Sequence, residues 1–450
     1  MKEKLSNQKT IGKRIKLLRS EKSLTQEGLA RKADIPYTTL TKIESEVIKS
    51  PTIDTVLKIA TGLEIGIDDL SGTSMLSRTK SKKYLLFTPG PVNVKENVRM
   101  AIYKEDICHR EQDFDVLLQS VEEKLLQLFE IKRTTDYRAV VITGSGTAAN
   151  ESMLSSTVGN KNILIISNGE FGERLFHISE VHNKNTFVLK FGWGEKFDLE
   201  KIETFIKKNK IDVIAMVHHE TSSGLLNPIE AVGMLSKAYN TLFIVDCVSS
   251  AGAEPIDLEK CNISFCSSSS SKAISSYPGL SFVVGKKKEF EKLKDIQAKT
   301  MYLSLYKFYH FIHSISQTPN TPAVPLFFAL EQALENILQE GISNRHQDIL
   351  NRANILRTGM KKLGLKFLID ENDMCSVLTT VYTPEYIEVA VLREKLREKK
   401  IIIYEGKGEF KDKVFQVGNI GELSLTEIQF FLDTLQEILQ NFNKKLSTNY

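Results

Sequence analysis

The chain has 450 residues, of which 41% are hydrophobic and 26% charged, and its formal net charge is +4. That balance suits a globular protein with a sizeable core and excludes a low-complexity or collagen-like chain; the length predicts two or three domains. The charge is uneven: residues 1–82 carry 16 Lys and Arg against 10 Asp and Glu, while the rest carries 44 against 46. A basic N-terminal segment is what a polyanion partner requires, although Lys-rich ends also serve solubility alone.

In chain order, residues 11–70 read as short helices. Ile11, Ile15, Leu17 and Leu18 recur at helical spacing, as do Leu29, Ile35, Leu40 and Ile43. Thr25-Gln26-Glu27 has the form of a helix start, and Pro36 suits the first turn of the next helix. Residues 71–83, SGTSMLSRTKSKK, are small, polar and basic and read as a linker. From Tyr84 the texture changes to apolar β-rich runs alternating with helical stretches. The strand candidates are Ala139–Thr143, Ile163–Ser167, Thr186–Phe191, Val213–His218, Leu242–Asp246, Ile263–Cys266 and Leu280–Val284. This alternation predicts an α/β domain with a mainly parallel sheet covered on both faces, over residues 84–340. The chain turns mostly helical after about residue 290. A smaller C-terminal α/β domain is expected over 341–450, with strands at Ser376–Val381 and Ile401–Tyr404.

The five cysteines form no C-x-x-C pair and meet no histidine cluster, so no metal site is expected and a reduced, cytoplasmic compartment fits. The first 20 residues lack an apolar stretch of signal-peptide type. No apolar run reaches the roughly 18 residues of a membrane span. A cytoplasmic protein with no membrane partner is the expectation.

The stretch IGKRIKLLRSEKSLTQEGLARKADIPYTTLTKIESE (11–46) resembles the Cro/phage-repressor-like (XRE) helix-turn-helix family. The resemblance implies DNA binding through residues 11–70, with residues 1–70 as the domain. The second helix of the motif would enter the major groove and present Tyr37, Thr38, Thr39 and Lys42. Gln26 opens the helix before it, and a glutamine can read adenine in a bidentate way. A fused module of this kind can instead serve for dimerisation or be vestigial.

Three features of the larger part carry chemistry. Thr143-Gly144-Ser145-Gly146-Thr147 follows the strand AVVIT and opens a helix, an arrangement that aims N–H groups, hydroxyls and the helix dipole at an anion, although such loops are also plain turns. Asp246 closes the apolar strand LFIVD, so it faces the crevice at the carboxyl edge of a parallel sheet. There a carboxylate can pair with a pyridinium nitrogen or cap a helix. Lys272 sits in SSSSSKAISSYPG, between two apolar strands and beside hydroxyls. A lysine desolvated in this way has a lowered pKa and forms Schiff bases.

From Tyr84 to about Asn441 the chain resembles the class V aminotransferases of pyridoxal 5'-phosphate (PLP) fold type I. It is most similar to 2-aminoethylphosphonate–pyruvate transaminases, with alanine/serine–glyoxylate aminotransferases more distant. The matching blocks are FTPGPVNV (87–94), DICHREQDF (106–114), TGSGTAANE (143–151), SNGEFGERL (167–175), VHHETSSGLLNPI (217–229), FIVDCVSSAGAEPID (243–257), SSSKAISSYPG (269–279), QTPNTPAVP (317–325) and VFQVGNIGEL (414–423). The resemblance implies that Lys272 holds PLP as a Schiff base and Asp246 lies under the pyridine nitrogen. Val248 and Phe171 would cover the two ring faces. Ser145, Gly146, Thr147 and Ser270 would hold the phosphate, with Thr221 beside a ring substituent. Thr321 would reach the phosphate of a neighbouring subunit in a homodimer, and Gly90 and Gln416 would face substrate.

The sequence departs from the family at Gln416, where an arginine ordinarily grips a substrate carboxylate. Glutamine offers no charge-assisted fork, and losing that contact costs about 2–4 kcal/mol of binding. A second departure is Ala273-Ile274-Ser275-Ser276-Tyr277 after the lysine, where Tyr277 would re-dress the pocket mouth. The expected activity is transamination of a small primary amine such as 2-aminoethylphosphonate with a pyruvate-like keto acid. An amine-sensing transcription regulator with weak or no turnover, an alanine/serine–glyoxylate-type aminotransferase and a PLP lyase stay open as alternatives.

Overall fold

The computed structural model describes residues 10–22, 24–63, 65, 67, 70, 83–131 and 136–447; of the expected linker it describes only Lys83. The chain divides into two compact units, Met1–Lys83 and Tyr84–Tyr450. Among the described residues no helix is long and apolar enough to cross a membrane.

The first unit contains helices Ile11–Glu21, Gln26–Lys32, Tyr37–Glu44 and Ile53–Gly62. Thr25 caps the second, its Oγ1 accepting from Gly28 N at 3.0 Å. Pro36 stands at the cap position of the third, one residue before its first turn. The apolar periodicity becomes a closed core of Ile15, Leu18, Leu29, Leu40, Ile43, Val56 and Ile59. Beside it, Arg19 donates in bidentate fashion to the buried Glu44 carboxylate, at 2.7 and 2.9 Å.

The second unit is built on a seven-stranded sheet: β1 Tyr137–Thr143, β2 Ile163–Ser167, β3 Thr186–Lys190, β4 Val213–Val217, β5 Leu242–Asp246, β6 Phe265–Ser269 and β7 Leu280–Lys286. Their spatial order is β1-β7-β6-β5-β4-β2-β3. β7 alone runs antiparallel to its neighbours. The fold is of the expected α/β class, a mostly parallel sheet between helices.

The strand expected at Ile263–Cys266 lies further along, at Phe265–Ser269, so three serines of the run are sheet residues. Their small hydroxyls are tolerated there because β5 and β7 flank the strand, and Ser267 bonds the Asn150 side chain.

A second core gathers Phe415, Val417, Phe431, Leu435 and the helix residues Leu392 and Leu396. It lies against a three-stranded antiparallel sheet of β8 Leu378–Tyr382, β9 Tyr404–Glu405 and β10 Val414–Gly418. Leu85 and Phe87 belong to this core, and Leu85–Leu86 pairs in parallel with Ile401–Ile402. The beginning of the segment read from sequence as the large domain is thus packed with residues near the C-terminus.

Candidate active site

The carboxyl ends of β1, β2, β4, β5 and β6 converge, as doubly covered sheets require of a ligand crevice. A cavity of about 300 Å³ opens there. Its wall brings together Gly90, Ser145, Gly146, Thr147, Phe171, Thr221, Asp246, Val248, Lys272 and Gln416, ten of the residues singled out in the sequence from blocks more than 300 positions apart.

At the end of β1 the chain turns through Gly144 into helix Gly146–Thr157. Ser145 occupies the cap position, yet its side chain makes no cap bond. Its hydroxyl and the first N–H groups of the helix remain available to an anion. A Cβ on Gly146 would stand 2.8 Å from Val248 Cγ2, so only glycine keeps both the helix start and Val248 in place.

Asp246 is 3% exposed. Its carboxylate accepts from Asn150 Nδ2 at 2.6 Å and from Val248 N at 2.8 Å. Burial pushes its pKa up, against the pull of those two donors. A buried carboxylate of this kind is completed by a cationic N–H partner, which a pyridinium ring supplies.

Lys272 follows β6. Burial, then the charge of Lys407, lowers its amine pKa to about 8. Its Nζ points at Gly90 O at 3.4 Å. A Cβ on Gly90 would fall 2.4 Å from Lys272 Cδ, so this glycine is the space in which the lysine lies.

Phe171 enters from helix Glu170–His182, whose first N–H groups are held by a buried acid. Glu220 accepts from Phe171 N at 3.3 Å and Gly172 N at 3.0 Å. Thr221 donates to Ser249 Oγ at 2.7 Å. His219, also in the wall, is held neutral by burial, its pKa near 4. Its Nδ1 lies 3.3 Å from Ser249 O and its Nε2 2.9 Å from Cys375 Sγ.

Two expected residues do not line the cavity. The Ser270 hydroxyl turns away, 2.5 Å from Tyr277 O and 2.9 Å from Leu280 O, while Ser269 and Ser271 on either side of it line the cavity. Thr321 is exposed on this chain. Sequence reasoning missed Asn150, Arg174, His219, Ser249, Tyr404 and Lys407. Arg174 had a signal, three residues after Phe171 on one helix and so on its face. Lys407 had none.

In the helical unit Tyr37, Thr38 and Lys42 are exposed and Thr39 half-buried. Gln26 is placed otherwise than expected. Its Nε2 donates to Glu44 Oε2 at 2.7 Å, so the buried Arg19–Glu44 pair draws it inward.

A lysine with a lowered pKa, a buried acid opposite it and a glycine-opened helix start define the site of a PLP-dependent aminotransferase. The chain belongs to the class-V aminotransferases: the Aminotransferase class-V family matches residues 98–409, and a Helix-turn-helix family matches residues 15–70. PLP is the cofactor of this class. Among curated relatives, the chain is 30% identical to the 2-aminoethylphosphonate–pyruvate transaminase of Phocaeicola vulgatus over 363 residues, covering 79% of this chain and 99% of the relative. It is 32% identical to the enzyme of the same name from Klebsiella pneumoniae over 366 residues, covering 80% and 98%. Among solved structures, the alanine–glyoxylate aminotransferase of Nostoc sp. superposes with a TM-score of 0.76 at 27% identity, covering 80% of this chain and 96% of that one.

Proposed function

We propose that this protein transaminates a small primary amine bearing an acidic group, of the 2-aminoethylphosphonate type, to a pyruvate-like keto acid. The observation that carries the reading is the meeting of Lys272 and Asp246 in one cavity behind the helix start at Gly146. The named relatives support the amine class.

Bound PLP supplies an electron sink for the carbon that bears the substrate amine. Lys272 would hold the cofactor, and its amine, when free, would act as general base and acid for the proton on the carbon that bears the substrate amine. With its pKa lowered to about 8, that amine can both take and give a proton near this pH, which suits both tasks. Asp246, fixed by Asn150 and Val248, keeps the ring nitrogen protonated. Phe171 and Val248 would cover the ring faces, and Thr221 would lie beside a ring substituent. Ser145, Gly146 and Thr147, joined by Ser269 and Ser271, take the phosphate. Thr321 would serve the phosphate of the other protomer of a homodimer. Gly90 roofs the substrate, which Gln416 meets without a charge.

In this reading residues 1–70 form a DNA-binding domain, 71–83 a linker, 84–340 the large and 341–450 the small aminotransferase domain, in a cytoplasmic homodimer. Tyr37, Thr38, Thr39 and Lys42 meet DNA.

A second reading is favoured by Gln416, neutral where the family grips a carboxylate, in a chain that carries a DNA-binding module: an amine sensor with weak or no turnover. Purified holoprotein should be yellow, and borohydride should fix the cofactor on Lys272. Bleaching by 2-aminoethylphosphonate followed by recovery with pyruvate supports the transaminase. Spectral change without recovery, together with an amine-dependent shift in DNA binding, supports the sensor. Absence of the chromophore sinks both.

A further inference from the structure

The cavity wall carries four charged side chains: Arg174, Asp246, Lys272 and Lys407. Asp246 and Lys272 face the cofactor's ring nitrogen and aldehyde in the proposed function, on which this inference rests. Arg174 and Lys407 remain. They come from distant parts of the chain, Arg174 from helix Glu170–His182 and Lys407 from the turn after β9. Both approach one ring, with the Arg174 guanidinium carbon 4.7 Å and Lys407 Nζ 5.1 Å from the Phe171 centroid. Both also share one carboxylate. Glu170 Oε1 lies 2.7 Å from Arg174 and 3.4 Å from Lys407. Two cations on one anion leave an excess positive charge at the cavity wall.

The turn holds Lys407 in place. Gly408 has φ 47°, and a Cβ there would lie 2.3 Å from the Trp193 ring. Lys407 is therefore presented from backbone pressed flat against a tryptophan, whose ring also meets Phe410 edge-on. Its charge reaches the reacting lysine, where it acts with burial to lower the Lys272 pKa.

Gln416 is unable to do this work. Its Nε2 already has three acceptors: Thr221 O at 2.8 Å, Ser222 O at 3.2 Å and Thr380 Oγ1 at 3.2 Å. An amide nitrogen has only two hydrogens, so none is left for a substrate anion.

We propose that Lys407, assisted by Arg174, is the specificity-determining anchor for the distal anionic group of the substrate, and that Glu170 is the resident counter-ion which that group displaces. Once Glu170 is displaced, Lys407 and Arg174 present two positive charges, which a dianion balances and a singly charged carboxylate does not. The site therefore prefers a tetrahedral dianion of the phosphonate kind to a carboxylate.

Ethylphosphonate and propionate test this, because neither has an amine and neither can react with the cofactor. Binding to yellow holoprotein is followed by calorimetry at low salt. Ethylphosphonate should bind more tightly than propionate. Lys407→Gln should weaken it by about tenfold or more, and Lys407→Arg should restore most of the loss. Glu170→Gln should act the opposite way and tighten it, a gain that a merely structural role for the trio does not produce. With 2-aminoethylphosphonate, Lys407→Gln should raise KM more than it lowers kcat. Ethylphosphonate affinity unmoved by both Lys407→Gln and Glu170→Gln, or propionate bound as tightly as ethylphosphonate, overturns the inference while the transaminase reading stands. A holoprotein that never becomes yellow defeats that reading first.

Discussion

Asn150 Nδ2 donates to Asp246 Oδ2 at 2.6 Å, while the Asn150 carbonyl receives the Ser267 hydroxyl of β6. Three elements thereby fix the plane of one buried carboxylate: helix Gly146–Thr157, the end of β5 and β6. A hydrogen bond to a charged group contributes about 1.5–3 kcal/mol. Asn150→Ala should therefore weaken PLP binding by about tenfold or more, and Asp246→Asn by more, since it also removes the charge. Fluorescence titration of apoprotein with PLP measures both. Undiminished affinity in Asn150→Ala would show that the carboxylate needs no orienting partner.

Lys272 leads to a pH prediction. Its amine pKa is lowered to about 8 because burial disfavours the ammonium and Lys407 repels it. Only the neutral amine attacks an aldehyde. The rate at which apoprotein and PLP form the chromophore should rise with pH, with a midpoint near 8 instead of above 10. Lys407→Gln should move that midpoint upward, since a repelling charge is removed. Stopped-flow absorbance reads the profile, and an unchanged midpoint in the variant contradicts the assigned electrostatics.

At Gln416 an arginine would meet the same three acceptors and have donors to spare, since its guanidinium carries five N–H groups against two. Gln416→Arg should lower KM for ordinary amino-acid and keto-acid pairs by about tenfold or more. Steady-state kinetics with alanine and glyoxylate test it, and no gain in carboxylate affinity would remove the account of this position.

The chemistry at strand ends was readable, because glycine after AVVIT, aspartate after LFIVD and a serine-flanked lysine each mark a buried edge on local grounds. What joins them was not. Asn150 is one polar residue among several on its helix, and its partner Asp246 lies 96 positions away. Lys407 reads as one more surface lysine until Gly408 is found against Trp193. The serine run misled for a physical reason. Serine is a weak strand former alone, but pairing on both sides overrides propensity. Parallel pairing with Ile401–Ile402 carries Leu85–Phe87 into the smaller core, and a pairing partner so far along the chain leaves no local pattern to read.

Glu122 is a second titrating group, remote from the cavity. Burial raises its pKa to about 7. Between an unfolded value near 4.5 and about 7 the folded state holds more protons than the unfolded one. Stability is thus greatest below that window and falls as pH rises through it, by about 3 kcal/mol in full. Glutamine keeps the shorter contact of this site: its oxygen can accept from Ala139 N, which donates to Glu122 Oε1 at 3.2 Å. Glu122→Gln should flatten the dependence and raise stability at pH 8. Urea melts at pH 5 and pH 8 decide the matter, and equal pH slopes for the two proteins refute it.

In the helical unit Lys42 and Gln26 should separate by the kind of loss they cause. Lys42 is exposed on helix Tyr37–Glu44, whereas the Gln26 amide is bound to Glu44 behind it. A lysine that neutralises one phosphate releases about one counterion, so Lys42→Ala should weaken binding to any duplex and reduce the salt slope by about 0.9. Gln26→Ala removes a donor from the buried Glu44 carboxylate, so it should lower the melting temperature of the unit and leave the salt slope unchanged. Fluorescence anisotropy over a salt series, paired with calorimetry, distinguishes them. If Gln26→Ala instead relaxed preference at one adenine without loss of stability, the inward placement of that side chain would not persist on DNA.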